Sequence, residues 1–186
     1  MLPSRHRILL IEDDCDQQFL TTHALRKAAS ERVSINVTTT GNEAIAYMIG
    51  EGKFADRERF PFPTIVITDL NMHDGDGFEV LEFMRVNPAW CIVPRIVFTS
   101  SEHDEDIRTA YQLGASAYHV KSNSLGETER QMAQIISYWS TIHVPATDHT
   151  GRIERTSPFS RLSHRYPPID GGAHMERPHD HVDSRS

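Results

Sequence analysis

The chain has little of several things, and each shortage closes off a class of protein. It has two cysteines, Cys15 and Cys91, in 186 residues. That is no disulfide framework, and it fits a reducing, cytoplasmic setting. No apolar run reaches the roughly 18 residues needed to span a bilayer. The N-terminal MLPSRHRILLIEDD offers only four apolar residues before Glu12, too short for a signal-peptide core. Positive charge is scarce as well, with 19 Lys and Arg against 26 Asp and Glu and a formal net charge of −7. That balance argues against broad binding to nucleic acid or to an anionic membrane surface, since both need basic patches. The expectation is a soluble cytoplasmic protein with neither nucleic acid nor membrane as a partner.

What is present changes texture at Pro145. Residues 145–186 hold scattered apolar side chains, several prolines and a Gly-Gly pair, with six arginines against six acids. The segment shows no helical or alternating period. It cannot bury enough apolar surface to offset its ordering entropy, so a disordered tail is expected. Its five histidines include no ligand pair at helical spacing.

Residues 1–144 form the expected folded domain, and here two patterns alternate. Strand-like apolar runs occupy 7–12, 33–38, 64–68, 95–100 and 117–121. Helical stretches fall between and after them, at about 15–30, 41–50, 76–87, 104–114 and 125–143. In the last, Met132, Ile135, Ile136, Trp139 and Ile142 make one apolar stripe at helical spacing. Asn87-Pro88 and Gly114 read as helix stops. Five strands alternating with five helices predict a doubly wound α/β domain, a parallel five-stranded sheet covered on both faces.

In such a sheet, ligands sit beyond the carboxyl ends of the strands, where the strand order reverses. The first run ends in Glu12, Asp13 and Asp14, and the third in Asp69 with Asn71 just beyond. Thr99 and Ser100 close the fourth and Lys121 the fifth. Clustered carboxylates cannot all stay ionised cheaply without a cation. Mg²⁺ answers that need with oxygen ligands while keeping waters, and so stays open to a phosphate oxygen. A carboxylate can attack phosphorus to give an aspartyl phosphate. Phosphoryl transfer then asks mainly for position and for cations on the equatorial oxygens, which Lys121 and Mg²⁺ would supply, with the Thr99 hydroxyl as a further donor. The nucleophile belongs at the centre of the strand order, which favours Asp69.

Four segments taken together, RILLIED at 7–13, DLNMHDGDG at 69–77, VFTSS at 97–101 and AYHVKS at 117–122, resemble the successive motifs of response-regulator receiver domains. The likeness covers about residues 5–143, in order and with the expected spacing. It implies that Asp69 is the phosphoacceptor for a sensor histidine kinase or a phosphotransfer protein. It also implies that Asp13 binds Mg²⁺ directly, Glu12 mainly through water, and Asn71 through its backbone carbonyl, with Asp69 completing the set. Thr99 and Lys121 would hold the phosphoryl group, and Tyr118 falls on the aromatic switch position. The long connection GEGKFADRERFPFP before the third strand is similar to that of small single-domain regulators that partner phytochrome-type kinases. No DNA-binding module follows, so output is expected through protein contacts or a phosphorelay rather than turnover of a separate substrate.

Two positions depart from the family pattern: His73 and Ser122 stand where proline is usual. A non-proline cis peptide costs about 2.5–4 kcal/mol, so a trans Lys121–Ser122 bond is expected. Ser122 also keeps alive the alternative of a degenerate receiver, an interaction module that is never phosphorylated. An EF-hand at 69–80 fails because Asp74 and Val80 occupy its glycine and glutamate positions. A haloacid-dehalogenase-type phosphatase fails because Asn71 replaces the second acid. Blander roles compete elsewhere. Asp14 reads as a helix cap, His73 as an exposed loop residue, Cys15 as an unreactive thiol, and Tyr118 as a packing residue. Tyr138 lies off the apolar stripe, where its ring could serve a homodimer face.

Overall fold

A computed structural model describes residues 6–29 and 33–141. The expected tail at 145–186, and Ile142 of the apolar stripe, lie outside the described residues. Five strands alternate with five helices: β1 (His6–Ile11), α1 (Cys15–Ala29), β2 (Val33–Thr38), α2 (Gly41–Ile49), β3 (Ile65–Thr68), α3 (Gly77–Val86), β4 (Arg95–Thr99), α4 (Asp104–Gln112), β5 (Ala117–Val120) and α5 (Leu125–Thr141). The sheet is wholly parallel in the order β2-β1-β3-β4-β5. Chain direction across the sheet therefore reverses between β1 and β3, the switch point where ligands bind in doubly wound folds.

Alternation along the strands divides the core. Ile8, Leu10, Ile65, Ile67, Ile96 and Phe98 face α1 and α5, where Met132, Ile135 and Ile136 meet them and Trp139 packs at the edge. Leu9, Ile11 and Val66 face α2 and α3, against Ala44, Tyr47, Met48, Val80 and Met84. Both faces of the central strands are thus dry, which is why β3 and β4 read as unbroken apolar runs.

Most strands end a residue earlier than the apolar runs indicate. Glu12 lies just past β1, but its N–H still donates to Thr38 O at 3.0 Å, and Asp69 N donates to Ile11 O at 3.0 Å. The ladder thus holds the acids rigidly at the moment the chain leaves it. The connection before β3 is ordered by aromatics. Phe54 is buried, and its ring centroid stands 5.1 Å from those of both Tyr47 and Phe60.

Candidate functional site

At the switch point, Asp69 follows β3 with its side chain 7% exposed. Its Oδ1 accepts from the backbone N–H groups of Leu70 (2.6 Å) and Asn71 (3.2 Å). Its Oδ2 lies 2.5 Å from Lys121 Nζ, and the same ammonium reaches Glu12 Oε2 at 2.6 Å. The strand end fixes that lysine, because Lys121 N donates to Thr99 O at 2.7 Å. Three charges so nearly dry are held by one another, since removing either sign would strand the rest. Burial, opposed in part by Lys121 and reinforced by Asp69, pushes the Glu12 carboxyl up to about 7. For Lys121 burial alone would lower the ammonium, but the two carboxylates outweigh it and raise it.

The loop after Asp69 is built to carry this geometry. Gly77 packs against the strand end so closely that a Cβ there would sit 2.0 Å from Asp69 O. Gly75 takes a positive φ of 74°, which favours glycine. Gly41 N donates to Asp74 O and Gly75 O at 3.1 and 3.0 Å, tying the loop to the start of α2. Asp76 then caps α3 by accepting from Glu79 N at 2.8 Å.

A divalent cation finds a partial fit. Glu12 Oε1 is buried with no hydrogen-bond partner, an oxygen the protein itself leaves unsatisfied. Asp13 stands beside it, 17% exposed. Among the described residues no three His, Cys, Asp or Glu side chains are grouped to hold a metal ion. Of the expected ligands, Glu12 and Asp69 are bridged by Lys121, and Asn71 meets Asp69 through its backbone N–H. His73, expected as an exposed loop residue, is 97% exposed and also contacts Asp13. Its backbone N–H donates to Asp13 Oδ2 at 3.2 Å, and its Nδ1 lies 2.5 Å from the same oxygen. That contact lowers the Asp13 carboxyl even though burial would raise it, and raises the His73 imidazole.

Thr99 is fully buried at the end of β4. Sequence reasoning missed its neighbour Ser101, which joins the two expected switch residues. Ser101 N donates to Thr99 Oγ1 at 3.4 Å, and Ser101 O accepts from the Tyr118 hydroxyl at 3.1 Å. Asp14 caps α1, its carboxylate accepting from Gln17 N at 2.8 Å, while its backbone lies beside the Glu12 carboxyl. Cys15 is an exposed free thiol. No peptide bond among the described residues is cis, Lys121–Ser122 included.

Comparison with known proteins identifies the family. Residues 8–133 match the response regulator receiver domain. The chain belongs to that family. This receiver is 30% identical over 140 residues to the response regulator Rcp1 of Synechocystis sp., covering 75% of this chain and 92% of that protein. Its fold is similar to that of a phosphorylated cyanobacterial phytochrome response regulator, RcpA, with a TM-score of 0.72 and 28% identity over 77% of this chain and 100% of that one. A Mn²⁺-bound form of Rcp1 superimposes with a TM-score of 0.68 and 30% identity over 76% of this chain and 99% of that one.

Proposed function

We propose that this receiver is a single-domain response regulator that accepts a phosphoryl group on Asp69 from a phosphohistidine, with Mg²⁺ required. The donor would be a sensor histidine kinase, of the phytochrome-associated class by likeness to the phytochrome response regulator RcpA, or a phosphotransfer protein. The observation that carries the proposal is Lys121 Nζ, 2.5 Å from Asp69 Oδ2 and 2.6 Å from Glu12 Oε2 at the switch point. A carboxylate oxygen of Asp69 forms the new O–P bond as the P–N bond to the donor imidazole breaks. Lys121 gives its charge to the phosphoryl oxygens, and the Thr99 hydroxyl adds a hydrogen bond. Glu12, Asp13 and the Asn71 carbonyl would hold the cation, which supplies further positive charge beside the transferring group.

The added charge then draws Thr99 toward Asp69. Through Ser101 that movement would reach Tyr118, repacking the surface of α4 and β5 where a partner can dock. Tyr138 is 63% exposed on α5, and a homodimer through that ring belongs to the same proposal. A cytoplasmic setting accompanies it; no helix among the described residues is long and apolar enough to cross a membrane.

The test is mass measurement after incubation with acetyl phosphate or a kinase, with and without Mg²⁺. A phosphoryl adduct that needs the cation and vanishes in Asp69→Asn is the expected result. No adduct on the wild type with any donor would establish the degenerate receiver instead.

A further inference from the structure

His73 places a nitrogen donor at the rim of an otherwise all-oxygen site. Its imidazole makes one hydrogen-bonded contact among the described residues, Nδ1 to Asp13 Oδ2 at 2.5 Å. The side chain is otherwise 97% exposed. Its backbone N–H also bonds Asp13 Oδ2, so the ring is pinned next to that carboxylate at its root. Glu12, the residue before Asp13 in the chain, has a buried and unpartnered Oε1. Two donors sharing one ion at about 2.0–2.2 Å each and at near-octahedral angles stand about 3 Å apart. Nδ1 and Oδ2 are closer than that, and a small rotation of an exposed ring opens the gap.

Ligand type then decides which ion gains. Mg²⁺ takes oxygen and keeps its waters. First-row transition ions accept imidazole readily, in the rising order from Mn²⁺ through Co²⁺ to Cu²⁺. We propose that His73 is a specificity-determining metal ligand that joins Asp13 on a first-row transition ion and tilts this site away from Mg²⁺ selectivity. The proposal rests on the receiver reading of the site. With Mg²⁺ bound, His73 remains a hydrogen-bond partner of Asp13; with Co²⁺ or Mn²⁺ bound, it is a ligand.

The test compares ratios, so that any general effect of the substitution cancels. Mg²⁺ and Co²⁺ affinities of the full chain are measured by titration calorimetry for wild type, His73→Ala and His73→Asn. Only binding lost in Asp13→Asn is counted, because histidines elsewhere in the chain can take Co²⁺. The asparagine amide can still donate to Asp13 but cannot serve as an imidazole ligand. The Co²⁺-to-Mg²⁺ affinity ratio should fall about tenfold or more in both variants. A ratio equal in all three proteins overturns the proposal, as does a wild-type ratio retained by His73→Asn. Failure of the wild type to bind either ion at Asp13 overturns the receiver reading of the metal site as well, whereas Mg²⁺ binding with an unshifted ratio overturns this inference alone.

Discussion

Two cations drawn in from solvent, Lys121 and Arg57, solve opposite problems in this fold. Arg57 lies in the connection before β3. Its Nη1 donates to the carbonyls of Tyr47 (2.8 Å) and Phe60 (3.3 Å), and its Nη2 to that of Met48 (2.9 Å). Two of these carbonyls belong to the last turn of α2, where the helical ladder runs out, and Tyr47 O accepts from Gly50 N at 3.3 Å as well. The guanidinium also lies 4.2 Å from the Phe62 ring centroid. At Gly50, where φ is 77°, a Cβ would sit 2.5 Å from Arg57 Nη2. Every partner there is neutral and fixed, so nothing can be exchanged. Lys121 is held instead by two carboxylates, and an incoming phosphoryl group or metal ion can compete for each. A cation among backbone carbonyls fastens a structure, whereas a cation among carboxylates leaves the site able to change partners.

The largest effect that follows is Asp69→Asn, which should abolish the phosphoryl adduct while the chain still folds, as seen by mass and circular dichroism. Lys121→Ala should damage both chemistry and stability. It leaves Glu12 and Asp69 facing each other nearly dry, at a cost of about 3–5 kcal/mol. Phosphoryl uptake should fall by about 100-fold or more. A cation in the site would relieve the same repulsion, so Mg²⁺ should raise the melting temperature of Lys121→Ala more than that of wild type. Equal shifts would mean that the ion does not bind beside these acids.

Arg57→Ala should separate the two regions. Losing three carbonyl bonds and the ring contact should destabilise the fold by about 2–3 kcal/mol. Melting temperature should fall by about 5–10 °C. Asp69 phosphorylation, measured well below melting, should stay within about twofold of wild type, because Arg57 holds the end of α2 and not the switch point. A large loss of phosphorylation would show that the aromatic connection and the site are coupled.

The outline of both regions was legible in the sequence, and their wiring was not. Buried parallel strands announce themselves as apolar runs, and a parallel sheet brings their C-terminal ends to one edge, so Glu12, Asp69, Thr99 and Lys121 could be grouped before any geometry was known. Asp14 could be assigned as a cap because that interaction is local. The engagement of Asp13 by His73 spans 60 positions and carries no periodic or spacing signal. The same holds for Tyr118 and Ser101, which meet only because β5 lies beside β4. Arg57 was visible as a charge in a loop, but a guanidinium closing a helix from its far side depends on how the loop folds back. Spacing shows which side chains share an edge. Which oxygen of each carboxylate is left free depends on long-range hydrogen bonds.

One of those free oxygens gives the smallest of the expected effects. Glu12 titrates at about 7, raised from 4.5 chiefly by burial. A folded-state value above the unfolded one means that the native state binds the proton more tightly. In metal-free buffer Glu12 therefore favours folding most below about pH 4.5, and that contribution is lost progressively up to about pH 7. Coupling to Lys121 limits its size to roughly 2 kcal/mol. Glu12→Gln keeps the shape without the charge, so the difference in unfolding free energy between variant and wild type should grow across that interval and level off above it. Mg²⁺ should compete with the same proton, so saturating Mg²⁺ should flatten the wild-type profile and leave that of Glu12→Gln nearly unchanged. Urea titrations at half-unit pH steps, with and without Mg²⁺, measure all four curves. A wild-type profile parallel to that of the variant would place the Glu12 proton elsewhere and remove the unsatisfied oxygen from the account of metal binding.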